Sequence, residues 1–138
     1  MATYCLIIKL SKNSTIKIGK LGEIDFKKGY YVYVGSALNS IDGRIRRHLS
    51  KEKNLFWHVD YLLAYSTVKE VILERSGKKW ECDVAVEISK KGLPLINFGC
   101  SDCRCNSHLF YFKNKEIAEN ACLNSFKKFK LEIEKIKN

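Results

Sequence analysis

The sequence predicts an α+β fold in which helices cover a small, mainly antiparallel sheet. Segments rich in β-branched and aromatic residues alternate along the chain with segments whose apolar residues recur at helical spacing. The 138 residues contain one proline, no long linker and no internal repeat, which predicts one continuous domain over residues 1–138. The apolar fraction of 46% is typical of a globular protein, so a single core can stabilise the chain without disulfides.

The strands are predicted from composition and alternation. Four segments qualify, at residues 3–10, 30–34, 68–75 and 108–112. The IKIG segment at 16–19 has the composition of a further short strand. The segments LGEIDFKKG at 21–29 and GLPLINFG at 92–99 carry no clear period, so we expect them to be irregular.

The helices are predicted from apolar spacing and capping residues. One begins at Ile41, two more cover residues 56–65 and 80–89, and a long final helix follows Asn114, which can cap it. The apolar seam of this final helix would comprise Ala118, Cys122, Phe126, Phe129, Ile133 and Ile136. Its solvated face would carry Lys127, Lys128, Lys130, Lys135 and Lys137.

The helix that begins at Ile41 combines a buried stripe with a concentration of positive charge. Ser40 can cap it, and its apolar residues recur every four positions at Ile41, Ile45 and Leu49. In this phase Arg44 and His48 lie at the edge of the stripe and should face a cleft. Arg46 and Arg47 should point toward solvent or a ligand.

The net charge of +10 favours an anionic partner, and nucleic acid is the commonest one for a basic intracellular domain. The N-terminal apolar stretch is short and leads into lysine without a cleavage site, so we interpret it as a strand and expect a cytoplasmic protein without membrane association. A lysine-rich surface that only confers solubility is the simpler interpretation of the charge.

Two short motifs resemble the halves of the GIY-YIG endonuclease signature. YVYVGSA at 31–37 matches the second half, with Arg44 nine residues beyond Gly35, and TYCL at 3–6 stands at the first half. Ala2-Thr3-Tyr4 replaces Gly-Ile-Tyr there, and the gap between the halves is longer than the family norm. A branch of standalone family members is similar over nearly the whole chain, through WH-x-DYL, EC and SDC-x-C-x-x-HLF.

This resemblance implies a three-stranded antiparallel sheet flanked by helices, with an extended hairpin near the N-terminus and a strand–helix addition at the C-terminus. It also implies a metal-dependent endonuclease that hydrolyses phosphodiester bonds in DNA with Mg²⁺ or Mn²⁺. A small basic domain has little surface for long sequence recognition, which favours a structure-selective enzyme acting on branched or damaged DNA, with RNA left open. The alternative is a non-catalytic nucleic-acid-binding module on the same scaffold.

The residues that the resemblance marks have chemistry suited to phosphodiester hydrolysis. Glu81 can hold the metal ion, and Arg44 can bind the scissile phosphate with two prongs. Helical phase favours Glu81 over Glu87, because Glu81 shares a face with apolar residues. The other candidate catalytic residues are Tyr4 and Tyr33, either of which could position or deprotonate the water, and His48 and His58 as alternative bases. Candidate substrate contacts are Gly35, Ser36, Arg46 and Arg47.

For Tyr4 to act as a base, its pKa would have to fall from about 10, under the influence of the metal ion and Arg44. Gly35 is expected to allow a tight strand-to-helix turn. His58 and Asp60 could orient one another or simply cap a helix turn, and Trp57 is predicted to lie in the core.

Three of the six cysteines crowd into residues 100–105. Cys100, Cys103, Cys105 and His108 have the chemistry of zinc ligands, and Cys82 could join them. In the alternative interpretation the thiols are free and His108 begins a strand. Asp102 could be an additional acidic group near the cleft.

Overall fold

The computed structural model describes residues 1–100 and 105–138. Its strands are β1 (Ala2–Leu10), β2 (Ser14–Lys17), β3 (Glu23–Phe26), β4 (Gly29–Ala37), β5 (Thr67–Glu74), β6 (Leu93–Pro94), β7 (Leu109–Phe112) and β8 (Glu134–Lys137). Its α-helices are α1 (Ile41–Leu49), α2 (His58–Leu63), α3 (Glu81–Ser89) and α4 (Lys115–Lys128). The α+β class is therefore confirmed.

The main sheet has six antiparallel strands in the order β6-β7-β4-β1-β5-β8, where the resemblance implied three. Strand β1 lies in its centre, paired with β4 on one side and β5 on the other. The pairing with β4 places Tyr4 directly opposite Gly35. This register brings the two short motifs of the sequence side by side.

Helices cover both faces of the sheet, which explains why β1 is apolar almost throughout. Tyr4, Leu6 and Ile8 of β1 point to a core that includes residues of α1 and α2. Cys5 and Ile7 point to a second core that includes residues of α3 and α4. The side chains of the candidate site therefore approach from the α1–α2 face and from the start of α3.

The prediction of a long final helix is wrong beyond Lys128. Phe129 ends α4, and Lys130 adopts a left-handed backbone with a φ of 57°. The chain then turns back, and β8 pairs with the edge of β5. Ile136, Lys135 and Lys137 consequently lie on a strand, because pairing with an exposed sheet edge satisfies their backbone groups.

The segment between β1 and β4 forms a two-stranded hairpin of β2 and β3. The short strand expected at 16–19 is therefore present as β2, while the expectation of an irregular 21–29 is wrong for β3. The 92–99 segment is a loop apart from the two-residue strand β6. Among the described residues, no helix has both the length and the apolar character needed to cross a membrane.

Candidate active site

A polar cavity of about 330 Å³ opens where β4, α1, the start of α2 and the start of α3 meet. Its lining comprises Tyr33, Ser36, Arg44, Phe56, Trp57, His58, Glu81 and Gly99. The cavity therefore brings together five of the side chains that the sequence marked: Tyr33, Ser36, Arg44, His58 and Glu81. Tyr4 lies behind them, with its ring centroid 6.4 Å from that of Tyr33.

His48 contacts Tyr4 and holds it in place, and Gly35 leaves room for the tyrosine ring because it has no side chain. The Tyr4 Oη lies 2.7 Å from Nε2 of His48, and both side chains are buried. A Cβ at Gly35 would lie 2.5 Å from both Cζ and Oη of Tyr4. Gly35 lies inside β4, so the expected strand-to-helix turn at this position is wrong, and the residue instead makes room for the phenol.

We expect Gly35→Ala to destabilise the fold by about 2 kcal/mol, because the added methyl overpacks a buried ring. Urea denaturation measures this change in the free energy of unfolding. The Tyr4→Leu/Gly35→Ala double variant should be less destabilised than the sum of its two single variants, because leucine removes the ring that clashes. Additive losses would contradict the proposed contact.

Both phenols of the site are neutral. Burial raises the pKa of Tyr4 far above its ordinary value, although Arg44 hydrogen-bonds the phenol and favours the phenolate. Burial also raises the pKa of Tyr33 well above 10. These shifts are opposite in direction to the lowered pKa that a tyrosine base requires. The geometry therefore favours hydrogen bonding by both phenols over proton abstraction.

His48 is neutral as well. Burial lowers its pKa from 6.5 to about 3, and the positive charge of Arg44 acts in the same direction, while Asp60 opposes both. Within the part of the chain that the structure describes, Nδ1 of His48 has no hydrogen-bond partner. A neutral imidazole in this position can share a proton with Tyr4 without adding charge to the core.

The low pKa of His48 makes the fold acid-sensitive. The unfolded state takes up a proton near pH 6.5, whereas the folded state resists it down to about pH 3. As far as His48 is concerned, the free energy of unfolding is therefore highest above pH 6.5. Below that pH it falls by at most about 1.4 kcal/mol per pH unit. Denaturant titrations at several pH values should show this slope in the wild type and a shallower one in His48→Phe. Equal slopes in the wild type and in His48→Phe would contradict the low pKa assigned to His48 in the folded state.

Arg44 presents an unneutralised charge to the cavity. Its Nη1 donates to the carbonyl oxygen of Ser36 at 2.9 Å, and its guanidinium carbon lies 4.3 Å from the ring centroid of Trp57. Among the described residues, no carboxylate forms an ion pair with it. The remaining N–H groups can therefore receive an anion.

Arg47 does not point to solvent as predicted, because a buried carboxylate on α2 binds it. Its two terminal nitrogens lie 2.8 and 2.9 Å from the two oxygens of Asp60. Asp60 is fully buried and also accepts hydrogen bonds from the backbone N–H groups of Phe56 and Trp57. Asp60 therefore pairs with Arg47 and not with His58, and this ion pair fixes the cavity wall. Arg46, in contrast, is exposed as expected.

We expect Asp60→Asn to lower the free energy of unfolding by about 3 kcal/mol, since it leaves a partly buried guanidinium without its counter-charge. Although burial raises the pKa of Asp60, hydrogen bonds from Arg47, Phe56 and Trp57 outweigh it and lower that pKa. The contribution of ionised Asp60 to the free energy of unfolding is present above pH 4 and is lost as the pH falls further.

Chemical denaturation at pH 7 measures the Asp60→Asn loss. The matched control is Asp42→Asn, which removes an exposed carboxylate that pairs with Arg75 at 2.8 Å. We expect little change in the control, because water screens an exposed pair. Comparable losses in the two variants would contradict the structural role of Asp60.

Trp57 packs against the edge of the core and is not fully buried in it, so the prediction of a core residue holds only in part. It is only partly buried, and the guanidinium groups of Arg44 and Arg47 lie 4.3 and 4.4 Å from its ring centroid. Stacking on one indole holds both arginines in defined positions. Trp57 therefore positions Arg44 at the cavity.

His58 lines the cavity as a hydrogen-bond donor. Its Nδ1 accepts the backbone N–H of Gly99 at 2.8 Å, and burial lowers its pKa. Because neutral imidazole carries one proton, that proton lies on Nε2. Nδ1 is thus engaged and Nε2 carries the proton, so the geometry does not favour His58 as a base, and Nε2–H can donate to an anion.

Glu81 is an ionised carboxylate held by a hydrogen bond from Ser36 and a close contact with His108. Ser36 Oγ donates to Oε1 at 2.6 Å, and His108 Nδ1 lies 2.7 Å from Oε2. Burial raises the pKa of Glu81, but these two contacts outweigh it and lower the pKa below its ordinary value. Glu87 lies elsewhere on α3 and pairs with Lys90 and Lys128, which agrees with the preference for Glu81 from helical phase.

A candidate metal-binding group lies next to Glu81. Ligand atoms of Cys82, Cys105 and His108 lie within 4.8 Å of one another. Cys100, expected among the ligands, is not in this group, and its Sγ lies 3.3 Å from the carbonyl oxygen of Phe98. Cys103 and Asp102, which the sequence also suggested, lie outside the described residues.

The fold and the cavity define a basic α+β domain in which a carboxylate, a guanidinium and neutral hydrogen-bond donors surround one polar space. The chain belongs to the family described as domain of unknown function DUF123, whose family model matches residues 3–131. No match to the chain is found among the curated proteins or among the solved structures.

Proposed function

We propose that the protein is a metal-dependent endonuclease that hydrolyses phosphodiester bonds, with DNA as its substrate. The observation that carries this proposal is the convergence of Arg44 and Glu81 on one cavity from helices that are distant in sequence. One side chain offers positive charge to a phosphate, and the other offers a carboxylate to a cation. Phosphodiester hydrolysis needs both functions at the same place.

The phosphate would be bound by donors that already face the cavity. Arg44 can offer two N–H groups and oppose the charge that grows on the equatorial oxygens in the transition state. His58 and Tyr33 line the same space, and each side chain has a hydrogen-bond donor. Because these donors are held before the substrate arrives, little reorganisation is needed when it binds.

The carboxylate fits a hard divalent cation. Each oxygen of Glu81 has one close polar contact, with Ser36 or with His108, and each retains a lone-pair position for a ligand. Mg²⁺ commonly takes only one or two protein carboxylates and keeps several waters, and Mn²⁺ accepts similar oxygen ligands. When bound, such an ion supplies a more acidic water and neutralises phosphate charge.

The tyrosines would position the attacking water. Their raised pKa values keep both phenols protonated at neutral pH, so each can donate one hydrogen bond and accept another. Tyr4 forms a hydrogen-bonded pair with His48, and the neutral imidazole can polarise the phenol. We therefore propose that Tyr33 contacts the water or the phosphate in the cavity. Tyr4, paired with His48, would hold Tyr33 in position from the core side.

A second ion would suit the group of Cys82, Cys105 and His108. Thiolate sulfur and imidazole nitrogen are the ligands of zinc, whereas magnesium and manganese prefer oxygen. The described residues supply three of the four ligands that structural zinc sites usually have. We assign Zn²⁺ to this group, and Mg²⁺ or Mn²⁺ to Glu81.

The surroundings of the cavity favour a strand with unpaired bases. A groove of about 740 Å³ adjoins the cavity through Phe56 and His58, and Lys17, Lys20 and Tyr61 also line it. Phe56 is 75% exposed. An exposed aromatic ring near lysines is suited to stacking on a base while the lysines follow the backbone. A flap or branched junction supplies such bases beside duplex, so we propose structure-selective cleavage.

The test is incubation of the purified protein with end-labelled duplex, flap, junction and single-stranded DNA, and with RNA, in Mg²⁺, in Mn²⁺ and in chelator. We expect cleavage of a branched DNA that requires the divalent ion. The double variant Arg44→Ala/Glu81→Gln, purified in the same way, controls for contaminating nucleases.

Binding without cleavage of any of these substrates would overturn the nuclease proposal. It would support the alternative of a non-catalytic nucleic-acid-binding module, whose affinity should fall steeply with salt. Cleavage of RNA alone would overturn the assignment of the substrate. Cleavage that survives in the double variant would show that the site lies elsewhere.

A further inference from the structure

The ring of His108 joins the two candidate metal sites. Its Nδ1 lies 2.7 Å from Oε2 of Glu81, and its Nε2 lies 4.0 Å from Sγ of Cys82. The ring is almost completely buried, so little of either nitrogen is open to bulk water. Nδ1 of His108 therefore contacts the carboxylate of Glu81, and Nε2 lies on the side of the Cys82 thiol.

This arrangement favours the tautomer that metal binding requires. When His108 is neutral, the 2.7 Å contact between Nδ1 and the carboxylate favours a proton on Nδ1 and leaves the lone pair of Nε2 on the side of Cys82. Zinc-binding histidines commonly donate their other ring N–H to a carboxylate, and this partner fixes the orientation of the ring. Here that carboxylate is Glu81, which has its own role in the cavity.

The start of α3 strengthens the link. Glu81 and Cys82 are adjacent in its first turn. Coordination of a metal ion by Cys82 would therefore hold the stretch of backbone that carries Glu81.

We infer that zinc bound by Cys82, Cys105 and His108 fixes the position of Glu81, so that the affinity of the cavity for Mn²⁺ depends on the zinc site. His108 acts here as a positioning residue. The zinc site stands on its own geometry, whereas its effect on Mn²⁺ rests on the proposed function of Glu81. Zinc loss would release the ring and the start of the helix together, and the contact between His108 and the carboxylate would weaken.

The experiment measures two quantities on each variant: zinc per chain by mass spectrometry of the metal, and the Kd for Mn²⁺ by electron paramagnetic resonance. We expect one zinc per wild-type chain. Cys82→Ser and Cys105→Ser should lose it, with Mn²⁺ affinity falling about tenfold or more. The matched variant Cys100→Ser should keep both properties, because Cys100 is outside the ligand group.

A zinc-free wild-type sample separates loss of the ion from loss of the fold. Zinc is removed by a chelator, circular dichroism is recorded on the same sample, and zinc is then restored. We expect Mn²⁺ affinity to fall and recover while the helical signal persists. Cobalt in place of zinc should give the charge-transfer absorption of thiolate ligands in the wild type and lose intensity in Cys105→Ser.

Several results would overturn the inference. Wild-type protein that binds no zinc, or a Cys82–Cys105 disulfide found by peptide mass spectrometry, would remove the site. Zinc loss in Cys100→Ser would show that the ligand set is wrong. Zinc loss that leaves Mn²⁺ affinity unchanged would remove the coupling. A wild type that binds zinc but no Mn²⁺ would instead contradict the proposed function while leaving the zinc site in place.

Discussion

Glu81→Gln should lower the rate of phosphodiester cleavage about 10³-fold, because loss of the negative charge removes several kcal/mol of metal-dependent transition-state stabilisation. The substitution keeps the shape of the side chain, so Ser36 and His108 retain a partner of similar size. Single-turnover kinetics at saturating protein measure the change. A higher Mn²⁺ concentration should be needed for half-maximal rate.

Glu87→Gln is the matched control for this experiment. It removes the same charge from the same helix, but its carboxylate pairs with Lys90 and Lys128 away from the cavity. The control should cleave within about twofold of the wild type, since surface substitutions have small effects. Equal losses in Glu81→Gln and Glu87→Gln would mean that net charge, and not the cavity, determines the rate.

Arg44→Ala should lower cleavage by a similar factor, about 10³, as expected for an arginine that opposes the charge on a transferring phosphoryl group. Binding of DNA should change far less, because one phosphate contact is a small part of a basic surface. Arg44→Lys keeps the charge but loses the two-pronged geometry, so it should recover only part of the rate. Rapid-quench measurement of the single-turnover rate distinguishes the variants.

Arg46→Ala provides the comparison on the same helix. Arg46 is exposed and does not line the cavity, so its removal should weaken binding in a salt-dependent way and leave the rate at saturation unchanged. An Arg44→Ala protein that cleaves at the wild-type rate when saturated would remove Arg44 from the chemistry. A loss confined to affinity would assign it to general phosphate contact.

The parts of the site that depend on a single helix could be predicted from the sequence. The four-residue period of Ile41, Ile45 and Leu49 places Arg44 at the cavity, and the phase of α3 favours Glu81 over Glu87. In both helices the buried face is determined by local periodicity, which an isolated sequence shows directly.

Contacts between elements could not be predicted in this way. Helical phase turns Arg47 outward, but Asp60 on α2 meets it across space. Cys103 and Cys105 are close in sequence to Cys100, yet Cys82 on α3 completes the described group with Cys105 and His108. Such pairings depend on the packing of distant segments, about which spacing within one segment says nothing.

Burial and backbone conformation account for two further differences. The pKa of Tyr4 depends on how much protein surrounds its phenol, and burial outweighs the effect of Arg44. The end of α4 depends on Lys130, which adopts a left-handed conformation without the glycine that usually marks a helix end. The apolar spacing of Ile133 and Ile136 continues past that point and therefore suggested a longer helix.

The most direct test of the account is a crystal structure of the protein with Mn²⁺ and a short branched DNA, with the ion located by anomalous scattering. We predict a manganese peak within about 2.5 Å of a Glu81 carboxylate oxygen. A DNA phosphate should lie within hydrogen-bond distance of the Arg44 guanidinium in the same cavity. A manganese ion bound elsewhere, with the DNA phosphates away from Arg44, would contradict the central claim.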